Sequence, residues 1–352
     1  MEDKIDIAKL LFKQNKYQET IDTCNQILTA GDNSIEAIKL IAKSFLATKK
    51  IEDARLYLNK ALNITPDDYE IIKDIGNTYQ AIGDIQKAIN YYRKAIEIKS
   101  NYAPALTNLG ALKLYIGRKQ EALSLLIKAT ESDPKLSQGW VNLSNGYIKL
   151  DKIDDAEFAC RKAIELQPQL FDFHFLLASI LTRQKKLEEA VISLRKTIEL
   201  QPDFFQAHIN LGSVLKELGK LKEAEISTRK SIKLNPIVFN SHLLLSNILI
   251  GQKKYKEAEE SLLKTIELKP DHASSYANLG IILRDLGKLK EAEIKTRKAI
   301  ELNPYSPNTY SSLGIILRDL GNLKDAKIYL TKAIQIDPKQ AEARYNLSLI
   351  HL

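Results

Sequence analysis

The sequence predicts an all-α solenoid of stacked helix–turn–helix units, and three observations carry that prediction. Prolines stand 34 residues apart at Pro134, Pro168, Pro202, Pro236, Pro270, Pro304 and Pro338. Small residues keep the same period, glycine at Gly76, Gly110, Gly212, Gly280 and Gly314, and alanine at nine positions from Ala54 to Ala326. No stretch alternates polar and apolar residues as a half-buried strand does. A fixed period of this length marks an array in which each unit buries its apolar face on its neighbours.

The prolines set the register. Ser100 and Pro66 hold the same place before Pro134. With that place as repeat position 32, units begin at residues 35, 69, 103, 137, 171, 205, 239, 273 and 307. Nine full units fill 35–340. A divergent N-terminal repeat or cap covers 1–34, and 341–352 supplies the first helix of an incomplete terminal repeat.

Unit 307–340 shows how each element arises. Tyr310, Leu313, Gly314 and Leu317 follow the i, i+3, i+4, i+7 spacing of one helical face. Gly321 stands where a helix end takes a left-handed residue, as do Gly83, Gly117, Gly219 and Gly287. Ala326, Leu330 and Ala333 line a second amphipathic run. Pro338 closes it, because proline cannot continue a helix. Small residues at positions 8 and 20 let the two helices approach to about 8–10 Å. Departures are local. Lys113 replaces an apolar residue at position 11, Thr228 and Thr296 replace large apolar ones at position 24, and Thr20 and Asp32 stand where the first unit lacks its alanine and proline.

Composition fits one folded array. The chain has 352 residues, 44% of them apolar, with both charge signs mixed throughout and no Pro/Gly/Ser-rich linker. The start, Met1-Glu2-Asp3-Lys4, does not resemble a secretory leader, and no apolar run of about 18 residues could cross a bilayer. With two cysteines, a reducing, cytoplasmic setting is expected. HExxH, GxxxxGK[ST], CxxC and GxSxG motifs are absent, so neither catalysis nor a cofactor is expected.

His174, His208 and His242 all occupy position 4. Units about 10 Å apart place them too far apart to share a metal at about 2 Å. They are expected to fill a packing slot that Trp140, Tyr276 and Tyr310 fill elsewhere. Cys24 and Cys160, four units apart, are expected to be buried fillers. The net charge of +8 comes from dispersed residues, including Arg93-Lys94, Arg161-Lys162, Arg229-Lys230 and Arg297-Lys298. These read as a solvated outer face near helix C-termini, where cations favour the macrodipole, rather than a specific nucleic-acid surface.

Trp140-Leu143-Ser144-Tyr147 with Ala156, Ala163 and Pro168, and Tyr276-Leu279-Gly280 with Ala292, Ala299 and Pro304, resemble the tetratricopeptide-repeat (TPR) signature. The resemblance covers essentially the whole chain. It implies a right-handed superhelix with a concave groove lined by first helices, and a protein or peptide as partner. Position 6 should then face the groove with Asn108, Asn142, Asn210, Asn278 and Asn346. Each amide offers a donor and an acceptor to a peptide backbone. This resembles the asparagine ladder of O-linked N-acetylglucosamine transferases, with Leu40, Asp74, Leu176, Leu244 and Ser312 breaking it. The alternative is that asparagine recurs there without a ligand. Position 5 reads Lys39, Lys73, Thr107, Val141, Phe175, Ile209, Leu243 and Ala277. A groove that is basic at the N-terminal end and apolar in the middle is expected; the alternative is that these residues pack between first helices.

Lys73, Asn77 and Asn108 resemble half of the carboxylate clamp with which some TPR co-chaperones hold a free C-terminus, while Gln138 and Asn142 stand where the other half has basic residues. The expected function is a protein-binding scaffold. The alternative is the recognition arm of a longer enzyme, such as a glycosyltransferase. The last half unit, with Tyr345, Leu347 and Ile350, is expected to leave an apolar face for end-to-end self-association.

Overall fold

The computed structural model describes residues 2–29 and 34–350. Asp32, Leu352 and the other residues outside those ranges lie outside the described residues. Among the described residues there are 21 α-helices and no strand. They fall into two compact units, one up to Phe173 and one from His174 onward.

The first unit contains α1 (Glu2–Lys13), α2 (Tyr17–Thr29), α3 (Ile35–Ala47), α4 (Ile51–Ile64), α5 (Tyr69–Ala81), α6 (Ile85–Ile98), α7 (Ala103–Tyr115), α8 (Lys119–Ser132), α9 (Ser137–Lys149) and α10 (Ile153–Leu166). Next in order is α11 (Phe171–Arg183). The second unit continues with α12 (Leu187–Leu200), α13 (Phe205–Glu217), α14 (Leu221–Leu234), α15 (Phe239–Gly251), α16 (Tyr255–Leu268), α17 (Ala273–Asp285), α18 (Leu289–Leu302), α19 (Pro307–Asp319), α20 (Leu323–Ile336) and α21 (Ala341–Ile350). From α3 to α20 the odd-numbered first helices start 34 residues apart and the even-numbered second helices do the same.

The joint within each hairpin explains this regularity. Position 15 is left-handed in every case, with φ between 58° and 82°. Five of these residues are glycines, and Asn15, Lys49, Asp151, Lys185 and Lys253 hold the same conformation without being glycine. The next N–H then reaches back to the last turn of the first helix, as Asp84 N–H does to Tyr79 O at 2.9 Å. Because Asn15 has this geometry, the divergent first hairpin turns like the others.

Packing within a hairpin sets position 8 against position 24. A Cβ on Gly110 would lie 2.6 Å from Leu126 Cγ, and one on Gly280 would lie 2.1 Å from Thr296 Oγ1. The position-20 alanines from Ala54 to Ala326 are fully buried. Thr228 and Thr296 fit the apolar slot because each hydroxyl donates 2.8 Å to its own helix, to Ala224 O and Ala292 O. Thr20 does the same to Lys16 O at 2.9 Å. Each unit's core is a series of such hairpin clusters, for example Leu245, Leu249, Leu262, Leu279 and Leu283 in the second.

Candidate peptide-binding faces

Adjacent first helices share the face that carries positions 5, 6 and 9. In the first unit, Asn108 Nδ2 on α7 donates to Asn77 Oδ1 on α5 at 2.8 Å. In the second, Asn278 Nδ2 on α17 lies 3.4 Å from Asn247 Oδ1 on α15. Amides at position 6 therefore meet amides at position 9 of the preceding repeat, a partnership the sequence reading did not foresee. The signal was there: asparagine at position 9 occurs where the next repeat has asparagine at position 6 in these two pairs.

The supposed half clamp is occupied from within. Lys73, Asn77 and Asn108 do come together, but Lys73 and Asn77 engage Asp74 while Asn108 engages Asn77. Lys73 Nζ lies 2.5 Å from Asp74 Oδ1, and Asn77 Nδ2 lies 3.2 Å from the same oxygen. The Tyr92 hydroxyl lies 2.8 Å from Asn77 Oδ1. Asp74 is itself buried. Lys73 and Asn77 thus hold a carboxylate of their own chain, and Asn108 is tied to it through Asn77. Nor is the N-terminal end a free basic patch: Lys39 Nζ lies 2.5 Å from Asp68 Oδ2 and 3.7 Å from Glu70 Oε2. Desolvation pushes the Asp68 carboxyl up, but Lys39 and the α5 backbone N–H groups outweigh it and hold it below the ordinary carboxylate range.

The position-5 stripe is less exposed than a free docking face. Thr107 is buried. Val141, Phe175, Ile209 and Leu243 are all half-buried. The Phe175 ring meets Phe204 edge-on at 4.9 Å, and Leu243 packs on the core around Leu245. Each contributes to packing as well as to surface. Of the position-6 amides, Asn142 accepts from Gln138 Nε2 at 3.1 Å, so the second half of the supposed clamp is also internally paired. Asn210 is half-buried with no side-chain hydrogen bond among the described residues. Asn346 is a correction: it is only 6% exposed, donates to Glu342 O at 2.8 Å and accepts from Arg318. It presents no free amide.

A further polar site lies in the second unit. A cleft of ≈ 460 Å³ runs between α17, α19 and the start of α21. Asn278, Asn303, Asn308 and Ser312 line it, and Glu342 is its one charged lining residue. Asn308 Oδ1 accepts from Gln340 Nε2 at 2.6 Å, and Asn303 Oδ1 accepts from Tyr305 N at 3.2 Å. Both amide nitrogens remain to donate, and Asn278 Oδ1 remains to accept. Sequence reasoning found Asn278 but missed Asn303 and Asn308, which stand at positions 31 and 2, outside the ladder.

The remaining candidates are structural. His208 Nε2 and His242 Nε2 lie 2.9 Å from Pro202 O and Pro236 O, and Trp140 Nε1 donates to Pro134 O at 2.8 Å. Position 4 thus ties α9, α13 and α15 to the proline before each. Cys24 and Cys160 are buried free thiols, and desolvation pushes them up to about 11 and about 12. The Arg-Lys pairs sit one turn before the last turn, so the macrodipole is not their reason. Arg161, Arg229 and Arg297 instead reach Glu157, Glu225 and Glu293 four residues back at 2.8–2.9 Å. At α21, Leu347 and Ile350 pack on α19 and α20, while Tyr345 and Leu349 are the exposed apolar residues.

Two sequence comparisons bear on this architecture. The family model described as the cilia and flagella-associated protein 70 C-terminal domain matches residues 72–279, more than half of the chain. The chain belongs to that family. The tetratricopeptide-repeat model matches 273–306 and 307–340, the same boundaries that the prolines set, so this is a TPR protein. No curated protein matches the chain in sequence. Among solved structures, the APC/C hetero-tetramer Cut9–Hcn1 is similar over 97% of this TPR chain and 95% of its own, at 13% identity and a TM-score of 0.50. YrrB, described as a TPR protein with an unusual peptide-binding site, matches 52% of this chain and 95% of its own at 22% identity and a TM-score of 0.48. MamA matches 46% of this chain and 95% of its own at 24% identity and a TM-score of 0.44. At 13% identity the likeness to Cut9–Hcn1 is one of fold. No helix among the described residues is long and apolar enough to cross a membrane.

Proposed function

We propose that this TPR protein is a binding scaffold that holds an extended segment of a partner protein along its first helices. The observation that carries the proposal is the cleft between α17, α19 and α21, where amides and hydroxyls from different repeats converge on one space. An extended segment brings unpaired backbone N–H and C=O groups. Asn303 and Asn308 donate to such carbonyls, and Asn278 accepts from such N–H groups. The half-buried Phe175, Ile209 and Leu243 supply apolar contact in the same unit. We further propose that the protein acts by binding alone, in a cytoplasmic setting, for which the two buried free thiols are support. Exposed Tyr345 and Leu349 on α21 support self-association there.

The test is affinity capture on the whole chain and on a double variant, Asn278→Ala with Asn308→Ala, followed by mass spectrometry. Both side chains lie at the cleft surface, so the melting temperature should hold. Proteins retained by the wild type should be lost from the variant. An unchanged set of retained proteins would rule out this cleft as the binding face.

A further inference from the structure

Position 11 is apolar or aromatic in every full repeat except one, with Phe45, Tyr79, Tyr147, Leu215 and Leu249 as examples. The exception is Lys113 on α7. Its side chain is 9% exposed and forms the floor of a cleft of ≈ 530 Å³ between α6 and α8. A buried ammonium costs free energy that a leucine does not.

Two clefts in the second unit are built from the same repeat positions and show what Lys113 changes. Their floors carry Leu215 and Leu249. Across each, an arginine of one second helix pairs with a glutamate of the next, Arg195 with Glu223 at 2.7 Å and Arg229 with Glu257 at 2.5 Å. The corresponding residues around Lys113 are Arg93 and Glu121. Here Glu121 Oε2 takes the Lys113 ammonium instead, at 2.6 Å. Arg93 has no ion pair among the described residues, although it lines the cleft. The Glu121 carboxyl is held below its ordinary range, first by its hydrogen bond to Lys113, against desolvation, and then by the charges of Lys113, Arg118 and Arg93.

The diverted carboxylate leaves donors unused. An ammonium has three, and Glu121 engages one. Arg93 adds a planar fork suited to an oxyanion. Glu97 and Ser124 stand at the rim, exposed to solvent, and Ile96, Leu109 and Leu125 supply apolar wall. We propose that this cleft binds one anionic group, a carboxylate or a phosphate, carried on an apolar stem. The head lies between Arg93 and Lys113, and the stem lies on the leucines. Lys113 is thus kept for binding at a cost in stability. The site is separate from the first-helix faces and does not depend on their function.

The test is titration of the whole chain, followed by amide NMR, with acetyl-Leu-Glu-Leu-amide, its glutamine counterpart, phenyl phosphate and inorganic phosphate. The glutamate peptide or phenyl phosphate should shift amides around Arg93 and Lys113 saturably, and whichever binds tighter identifies the head group. The glutamine peptide should not bind. Arg93→Gln should weaken binding roughly tenfold. Lys113→Leu should abolish it while raising the melting temperature, since it restores the apolar floor and frees Glu121 for Arg93. Absence of saturable shifts with every anionic probe, equal binding of the two peptides, or undiminished binding by Lys113→Leu would overturn the proposal. Binding of inorganic phosphate alone would also overturn it, because the apolar stem would then have no role.

Discussion

Lys73 Nζ lies 2.5 Å from Oδ1 of Asp74, its neighbour in α5, and this contact closes the one place where the sequence suggests a grip on a free carboxylate. A ligand carboxylate would have to displace one that is already covalently in position. With the Arg93–Lys113 cleft removed by Lys113→Leu, peptides ending in a free acid and in an amide should therefore bind equally. Asp74→Asn should create a preference for the free acid, and adding Lys73→Ala should remove it. A preference for the free acid in the Lys113→Leu background with Asp74 intact would show that Asp74 yields its place.

The apolar stripe should behave as shared core and surface. Changing Phe175, Ile209 and Leu243 to serine should each cost roughly 1–2 kcal/mol, the share expected from half-burial. Thermal unfolding of the single variants measures this. Unaltered melting would mean that the Phe204 and Leu245 contacts contribute nothing.

Position 15 offers stability in both units. Lys49 and Lys253 hold φ of 58° and 60°, where a side chain is strained. Replacing either with glycine should stabilise the chain by about 1 kcal/mol. Gly83→Ala and Gly287→Ala should destabilise by a similar amount. Urea denaturation of the four variants checks the sign, and a loss in Lys49→Gly would refute the strain argument.

Acid should loosen the contact between α3 and α5. The Asp68 pKa is depressed in the folded chain, so its contribution is present above the unfolded value near ~4 and is lost as pH falls through the folded value. Asp68→Asn should therefore be less stable than wild type at neutral pH and should converge with it below about pH 4. An equal gap at both pH values would assign the effect to the helix cap rather than to charge.

Much of this was readable from residues because a repeat array is local. The proline period, the glycine or its substitute at position 15, and the small residues at positions 8 and 20 each act within one hairpin. Burial of position 24 by threonine was legible only as a departure, since the saving hydrogen bond to Ala224 or Ala292 is a matter of rotamer. The site was less legible. Position 6 was identified as a face, but whether an asparagine there is free depends on what the preceding first helix presents: Asn77 for Asn108, and Arg318 for Asn346.

The sequence by itself determined the fold class and the 34-residue period of the helix pairs, because periodicity and covalent spacing fix those. Only the tertiary structure decided which polar groups are spent internally. Asp74 fills its own clamp, Glu121 leaves Arg93 for Lys113, and Asn303 joins Asn308 in one cleft. The physical reason is range. Helix periodicity reports which face a residue occupies, whereas a hydrogen bond or ion pair is settled within about 3 Å, between side chains whose separation in sequence bears no fixed relation to their separation in space.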